Sequence, residues 1–216
     1  MGAWDVMSSH YIEKDSPPPG LSSFTRIRLG WISSDQVIGV NPGEEEKGAF
    51  LAPLAKGGKS LVIKIPLPGG RYYLVENRQR VGSDQIQPDA GLLILRVNPE
   101  VQEGSGTARI MDADRSSPNF SRATFRVDQE GRRVFLDKEN HLAILPLWLQ
   151  GENLGVLVTT PEKSQDALRA TNRILKLWEK YPEPRTGKIK KISEECVAAF
   201  KAFDFKKSAR IAEQAL

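Results

Sequence analysis

The side chains able to do chemistry in this 216-residue chain are few and widely spread. His10 and His141 are its only histidines, and neither has a second histidine four residues away, so the His-Glu-x-x-His pattern that binds zinc on one helix face is absent from the chain. Gly104-Ser105-Gly106 lacks the lysine and following helix of a phosphate loop. There is no Gly-x-Ser-x-Gly elbow, and Cys196, the single cysteine, has no histidine nearby in sequence. No catalytic residue is therefore assigned within the chain. Met111-Asp112-Ala113-Asp114 offers two carboxylates at alternate positions, which would share one face of a strand as candidate calcium ligands, although a calcium site takes about six or more oxygens. Glu76 and Arg78 are expected at the polar end of a strand, where carboxylate and guanidinium pair or bond exposed backbone groups.

The elements that must carry these residues change character along the chain. Residues 1–20 read as loop, because Ser16-Pro17-Pro18-Pro19-Gly20 removes donors and blocks helix. A short helix of about two turns is expected from near Ser22 to Gly30. Short β-type runs follow, including Ser60–Pro66, Arg71–Glu76, Gly91–Val97, Ala123–Val127 and Leu154–Thr160, with Gly, Pro, Asn and Asp in the breaks. Pro68-Gly69-Gly70 between the first two predicts a hairpin. Repeated short strands without intervening long helices predict an antiparallel β-sandwich. His141, ahead of an apolar run, reads as a turn or strand-edge residue.

After Pro161 the period becomes helical. Ala167, Leu168, Ile174, Leu175, Leu177 and Trp178 form one apolar face, ended by Pro182 and Pro184. Ile189, Ile192, Cys196, Ala199, Phe200 and Phe203 form a second, and Ala209, Ala212 and Ala215 a third, so a C-terminal helical hairpin or three-helix appendage is expected. The predicted fold class is thus mainly β with α, in three parts: residues 1–34, a sandwich over 35–160, and a helical tail over 161–216.

Composition narrows the partners. Residues 162–216 carry 13 basic and 8 acidic side chains, so the basicity belongs to the tail. Its lysines are interleaved with acids and lack a stacking-aromatic motif, which reads as a solvated face and not a nucleic-acid surface, and names no partner for the tail. No run of about 18 apolar residues is present, so no transmembrane segment is expected, and the first residues do not resemble a signal peptide. Cys196, among Ala and Phe, reads as a small buried apolar residue.

Three motifs carry a resemblance. Gly2-Ala3-Trp4-Asp5-Val6-Met7-Ser8 resembles the Met-turn of metzincin peptidases as it occurs in the immune inhibitor A-like secreted zinc metallopeptidases. Pro19-Gly20-Leu21-Ser22-Ser23-Phe24 through Leu29-Gly30-Trp31-Ile32 is similar to the helix that follows it. Tyr72-Tyr73-Leu74-Val75-Glu76-Asn77-Arg78-Gln79, then Asp84 and Gly91-Leu92-Leu93-Ile94, is similar to the entry into that family's post-catalytic β-domain. The resemblance covers roughly residues 1–160. It implies that Trp4, Asp5 and Met7 belong to the floor beneath a catalytic zinc, that His10 borders the substrate cleft, and that the protein is extracellular. The zinc itself, and peptide-bond hydrolysis, would belong to the intact relative, whose N-terminal catalytic half is the implied partner. Two expectations follow. The chain is either a non-catalytic C-terminal portion of such a peptidase, or a stand-alone β-sandwich and helical module that binds a protein or a surface. Trp4 and Met7 separate them: lining an open groove favours the first, burial under the β-domain the second.

Overall fold

The computed structural model describes residues 1–8, 17–41 and 46–216, and the chain forms two compact units, Met1–Thr159 and Thr160–Leu216. The first unit is built on two sheets. Strands β1 (Val37–Gly39), β3 (Val62–Pro66), β4 (Tyr72–Arg78), β5 (Gly91–Val97) and β6 (Ala108–Ile110) form one, in the order β1-β3-β4-β5-β6. Strands β2 (Lys47–Leu51), β7 (Phe135–Asp137), β8 (Leu142–Gln150) and β9 (Asn153–Thr159) form the other, in the order β2-β9-β8-β7. Alternation along the strands explains the layering. Ile63, Ile65, Tyr73, Val75, Leu92 and Ile94 of the first sheet meet Leu51, Ile144, Leu154, Val156 and Val158 of the second in one apolar core. Among the described residues the architecture is sandwich-like, mixed α/β, with two sheets and no barrel.

The opposite face of the first sheet is also apolar, through Val62, Leu74, Leu93, Leu95 and Val97. It is covered by the N-terminal segment: Trp4 and Ile32 are buried on it, with Phe24 and Ile27 of α1 (Ser23–Arg28) packed alongside. Ser22 caps α1, its hydroxyl accepting from Thr25 N–H at 3.4 Å. Residues 1–8 and 17–34 therefore act as a third layer of this unit.

The hairpin expected around Pro68-Gly69-Gly70 is present, with β3 and β4 paired in register from Val62↔Glu76 to Pro66↔Tyr72. Three expectations need correction. The sheets are not wholly antiparallel, because β1 pairs with β3 in parallel, the intervening β2 lying in the other sheet. Ala123–Val127 is not a strand; a single antiparallel bridge joins Phe125 to Leu92, after which Arg126 N–H turns to the Arg132 carbonyl (2.7 Å). Asp112 and Asp114 do not share a strand face, since β6 ends at Ile110; Asp112 Oδ1 instead accepts from Asp114 N–H (3.0 Å) in a local turn.

The second unit is helical: α2 (Pro161–Lys180), α3 (Gly187–Lys201) and α4 (Phe205–Glu213). Thr160 caps α2 ahead of Pro161, and Asp204 caps α4, accepting from Lys207 N–H at 3.1 Å. Trp178 Nε1 donates to Ser193 Oγ (3.1 Å), joining α2 to α3, and Ser208 Oγ donates to the Cys196 carbonyl (2.8 Å), joining α4 to α3. Cys196 is buried among these helices, and burial pushes its thiol pKa up. Among the described residues no helix is long and apolar enough to cross a membrane.

At Gly91, φ is +148° and an added Cβ would lie 2.6 Å from the Phe125 carbonyl oxygen. Gly91→Ala is expected to destabilise the first unit by about 1–3 kcal/mol, read from the shift in the urea unfolding midpoint. An unchanged midpoint would show that the crossing of 123–127 over β5 is not tight.

Candidate functional site

The residues of the three motifs converge on the outer end of β4. Because strand side chains alternate, Leu74, Glu76 and Arg78 share the face covered by the N-terminal layer. Glu76 and Arg78 do pair at the polar end of the strand, as expected, but not at an exposed edge: both are fully buried, and the backbone groups they bond are buried with them. The strand continues through Arg78, and the N-terminal layer closes over it.

Arg78 uses its whole guanidinium. Nε donates to Asp84 Oδ2 (2.7 Å), and Nη2 donates to Asp84 Oδ1 (2.9 Å), a two-pronged ion pair. Nη1 donates to Glu76 Oε1 (2.8 Å) and to the Trp4 carbonyl (3.1 Å). With the Gln87 amide oriented to satisfy both of its ends, its oxygen accepts from Arg78 Nη2 (2.7 Å) and its nitrogen donates to the Ala3 carbonyl (3.0 Å). All five guanidinium N–H donors thereby find acceptors. Burial by itself lowers the Arg78 pKa, but Glu76 and Asp84 outweigh it and the net shift is upward, so the cation persists.

The carboxylates pass the constraint on. Glu76 Oε2 accepts from Ser23 N–H (2.7 Å) at the start of α1. Asp5, also fully buried, accepts at Oδ2 from Ser22 N–H (3.1 Å), from the Ser22 hydroxyl and from Thr25 Oγ1 (2.7 Å), and at Oδ1 from Met7 N–H (2.9 Å). Trp4 is fully buried, lies under the Arg78 guanidinium at 5.8 Å, and donates from Nε1 to the Phe120 carbonyl (2.8 Å). Gly20 packs so closely that a Cβ there would sit 2.2 Å from Asp84 Oδ1.

The motif residues thus have opposite environments. Trp4 and Asp5 are buried in the network, whereas Met7, two positions on, is 75% exposed. Met7 borders an open groove of about 730 Å³ with Phe24, Arg28, Leu29, Glu103 and Thr107, where Arg28 pairs with Glu103. His10 lies outside the described residues. His141 occupies the turn ahead of β8, at φ +52°, in a different part of the unit. Among the described residues no three His, Cys, Asp or Glu side chains form a group that could hold a metal ion. Sequence reading missed Asp5 as a hydrogen-bond hub and Asp84 as the partner of Arg78; the close spacing of Glu76, Arg78 and Asp84 was the available signal.

A second buried network provides a contrast. Asp89 accepts from Thr124 Oγ1 (2.6 Å), Arg132 Nη1 (2.5 Å) and Arg126 Nη1 (3.2 Å), fastening the 122–132 segment beside β5. Burial raises the Asp89 pKa, but the hydrogen bonds from Thr124 and Arg132 outweigh it and hold the carboxyl below its ordinary value.

Compared with known proteins, the chain matches no family model, no curated protein and no solved structure.

Two outcomes are expected. Gly20→Ala pushes the Asp84 carboxylate off Arg78 and lowers stability by about 1–3 kcal/mol in denaturant unfolding; an unaffected protein would mean the contact relaxes freely. For Asp89, a depressed folded-state pKa contributes stability that is complete above the unfolded value of about 3.9 and is lost as pH falls through the folded one. The unfolding free energy of Asp89→Asn should therefore fall less steeply than that of the parent below about pH 4, and equal slopes would remove Asp89 from the acid response.

Proposed function

We propose that this chain supplies the Met-turn floor and the supporting β-domain of a secreted zinc metallopeptidase, with the zinc ligands and general base provided by residues outside it. The observation that carries the reading is the contrast within one turn. Ala3, Trp4 and Asp5 are fixed by buried hydrogen bonds, and Met7 is held out at the edge of a groove. A methionine beneath a metal site offers a soft apolar surface to the ligating imidazoles without binding the metal, and it works only if its backbone is rigid. The resemblance of Gly2–Ser8, Pro19–Ile32 and Tyr72–Ile94 to the immune inhibitor A-like family supports the same reading, because all three stretches contribute to this one network.

In such an enzyme the reaction is peptide-bond hydrolysis by a zinc-activated water. The residues of this chain would do none of the proton transfer. Asp5 and Arg78 would hold the floor, and the sheets would hold Arg78. Burial of Trp4 is the feature that favours the stand-alone module, since the N-terminal layer already has a place to pack.

The test is the coding sequence surrounding this chain, read in all frames for a His-Glu-x-x-His helix upstream of Met1 and for an export signal. Both are expected. Their absence would overturn the peptidase reading and leave the binding module.

A further inference from the structure

We infer that Arg78 is the residue that positions Met7. The inference rests on the reading of the Asp5–Met7 turn as the floor of a site, and it names what holds that floor in place.

Two hydrogen-bonded routes run from the guanidinium to the turn. The first is direct: Nη1 to the Trp4 carbonyl, and Nη2 through the Gln87 amide to the Ala3 carbonyl, so that two successive peptide groups are fixed just before Asp5. The second passes through the helix. Glu76 is held by Arg78 at one oxygen and accepts Ser23 N–H at the other; the adjacent Ser22 binds Asp5 through N–H and hydroxyl; Asp5 then accepts Met7 N–H. The two routes meet at Asp5, one residue pair before Met7.

Nothing smaller than arginine completes both. A lysine has three donors on one atom and no planar fork, so it cannot serve Asp84 with two bonds while reaching Glu76, Trp4 and Gln87. The bidentate pair with Asp84 also sets the plane of the guanidinium, which lies over the Trp4 ring. Displacing that plane displaces Trp4 and the turn together. Arg78 is not among the residues lining the groove, so its action on Met7 runs through Ala3, Trp4 and Asp5.

The experiment uses the full chain labelled with [methyl-13C]methionine, with Met7 assigned by Met7→Leu and Met111 as the internal reference. Arg132→Lys, in the separate Asp89 network, controls for loss of a buried arginine as such. Arg78→Lys is expected to move the Met7 ε-methyl resonance while that of Met111 stays in place; Arg132→Lys is expected to lower the melting temperature and leave Met7 where it is. Gln87→Ala keeps both ion pairs of Arg78 and cuts only its link to Ala3, so it serves if Arg78→Lys does not fold; a smaller Met7 shift in the same direction is expected. An unmoved Met7 signal in the folded Arg78 or Gln87 variant, or equal shifts in the Arg78 and Arg132 variants, overturns the inference. None of these readouts depends on zinc, so they fail or succeed separately from the peptidase reading.

Discussion

The first unit depends on a cation held out of contact with bulk solvent. Glu76, Arg78 and Asp84 are all fully buried, and each would be costly to leave unpaired there, since breaking a buried ion pair by removing one partner commonly costs about 3–5 kcal/mol. The same principle states that a well-packed apolar replacement of the whole cluster is often no less stable. What the cluster supplies is therefore arrangement more than net stability. Its hydrogen bonds have direction, and they determine how the Trp4 turn, the start of α1, the 82–87 segment and β4 meet.

β4 is the strand through which these constraints travel, because its last residues are polar on both faces. Glu76 and Arg78 face the N-terminal layer. Asn77, pointing the other way, donates from Nδ2 to the Leu51 carbonyl and to the Glu152 carbonyl (2.9 Å each), tying β4 to β2 and to the β8–β9 turn. Leu54 N–H closes the same region by donating to the Asn77 carbonyl (2.9 Å), and Arg26 reaches from α1 to the Leu54 carbonyl (2.8 Å). Glu-Asn-Arg thus works as a junction of three layers, with alternate side chains assigned to alternate sides.

Apolar runs were the legible part of the sequence. Gly91–Val97, the Pro-Gly-Gly hairpin and the short helix after Ser22 announced themselves through continuous hydrophobicity, turn residues and a cap. What escaped was polar or interrupted. β8 runs through Pro146, where the register slips between Pro146 and Trp148; a proline in the sequence reads as a break, but the bulge accommodates it. β4 runs on through Glu76 to Arg78 although charged residues normally leave the core, because Asp84, Gln87, Trp4 and Ser23, distant or in loops, partner the two side chains. Ala123–Val127 looked like a strand by composition, yet its hydrogen bonds go to the Asp89 network and a single bridge. For β4 and for Ala123–Val127 the deciding factor was a distant hydrogen-bond partner that local pattern does not encode.

The two buried arginine networks also differ in what they hold. The Asp89–Arg132 cluster fastens Thr124 and Phe125 onto β5, with Phe125 packed among the residues between the sheets, and continues through Arg126 to the exposed Asp128. The Arg78 cluster reaches the surface at a turn that carries a large apolar side chain. It fixes three successive residues of a turn and leaves Met7 exposed beside Phe24 and Leu29 at the groove, although burying a methionine side chain is worth roughly 1.5–3 kcal/mol. A network serving stability alone gains nothing from a rigid turn whose large apolar side chain stays in water. A turn required to offer that side chain to another surface needs both properties at once, and this is the combination that the proposed role as a site floor accounts for.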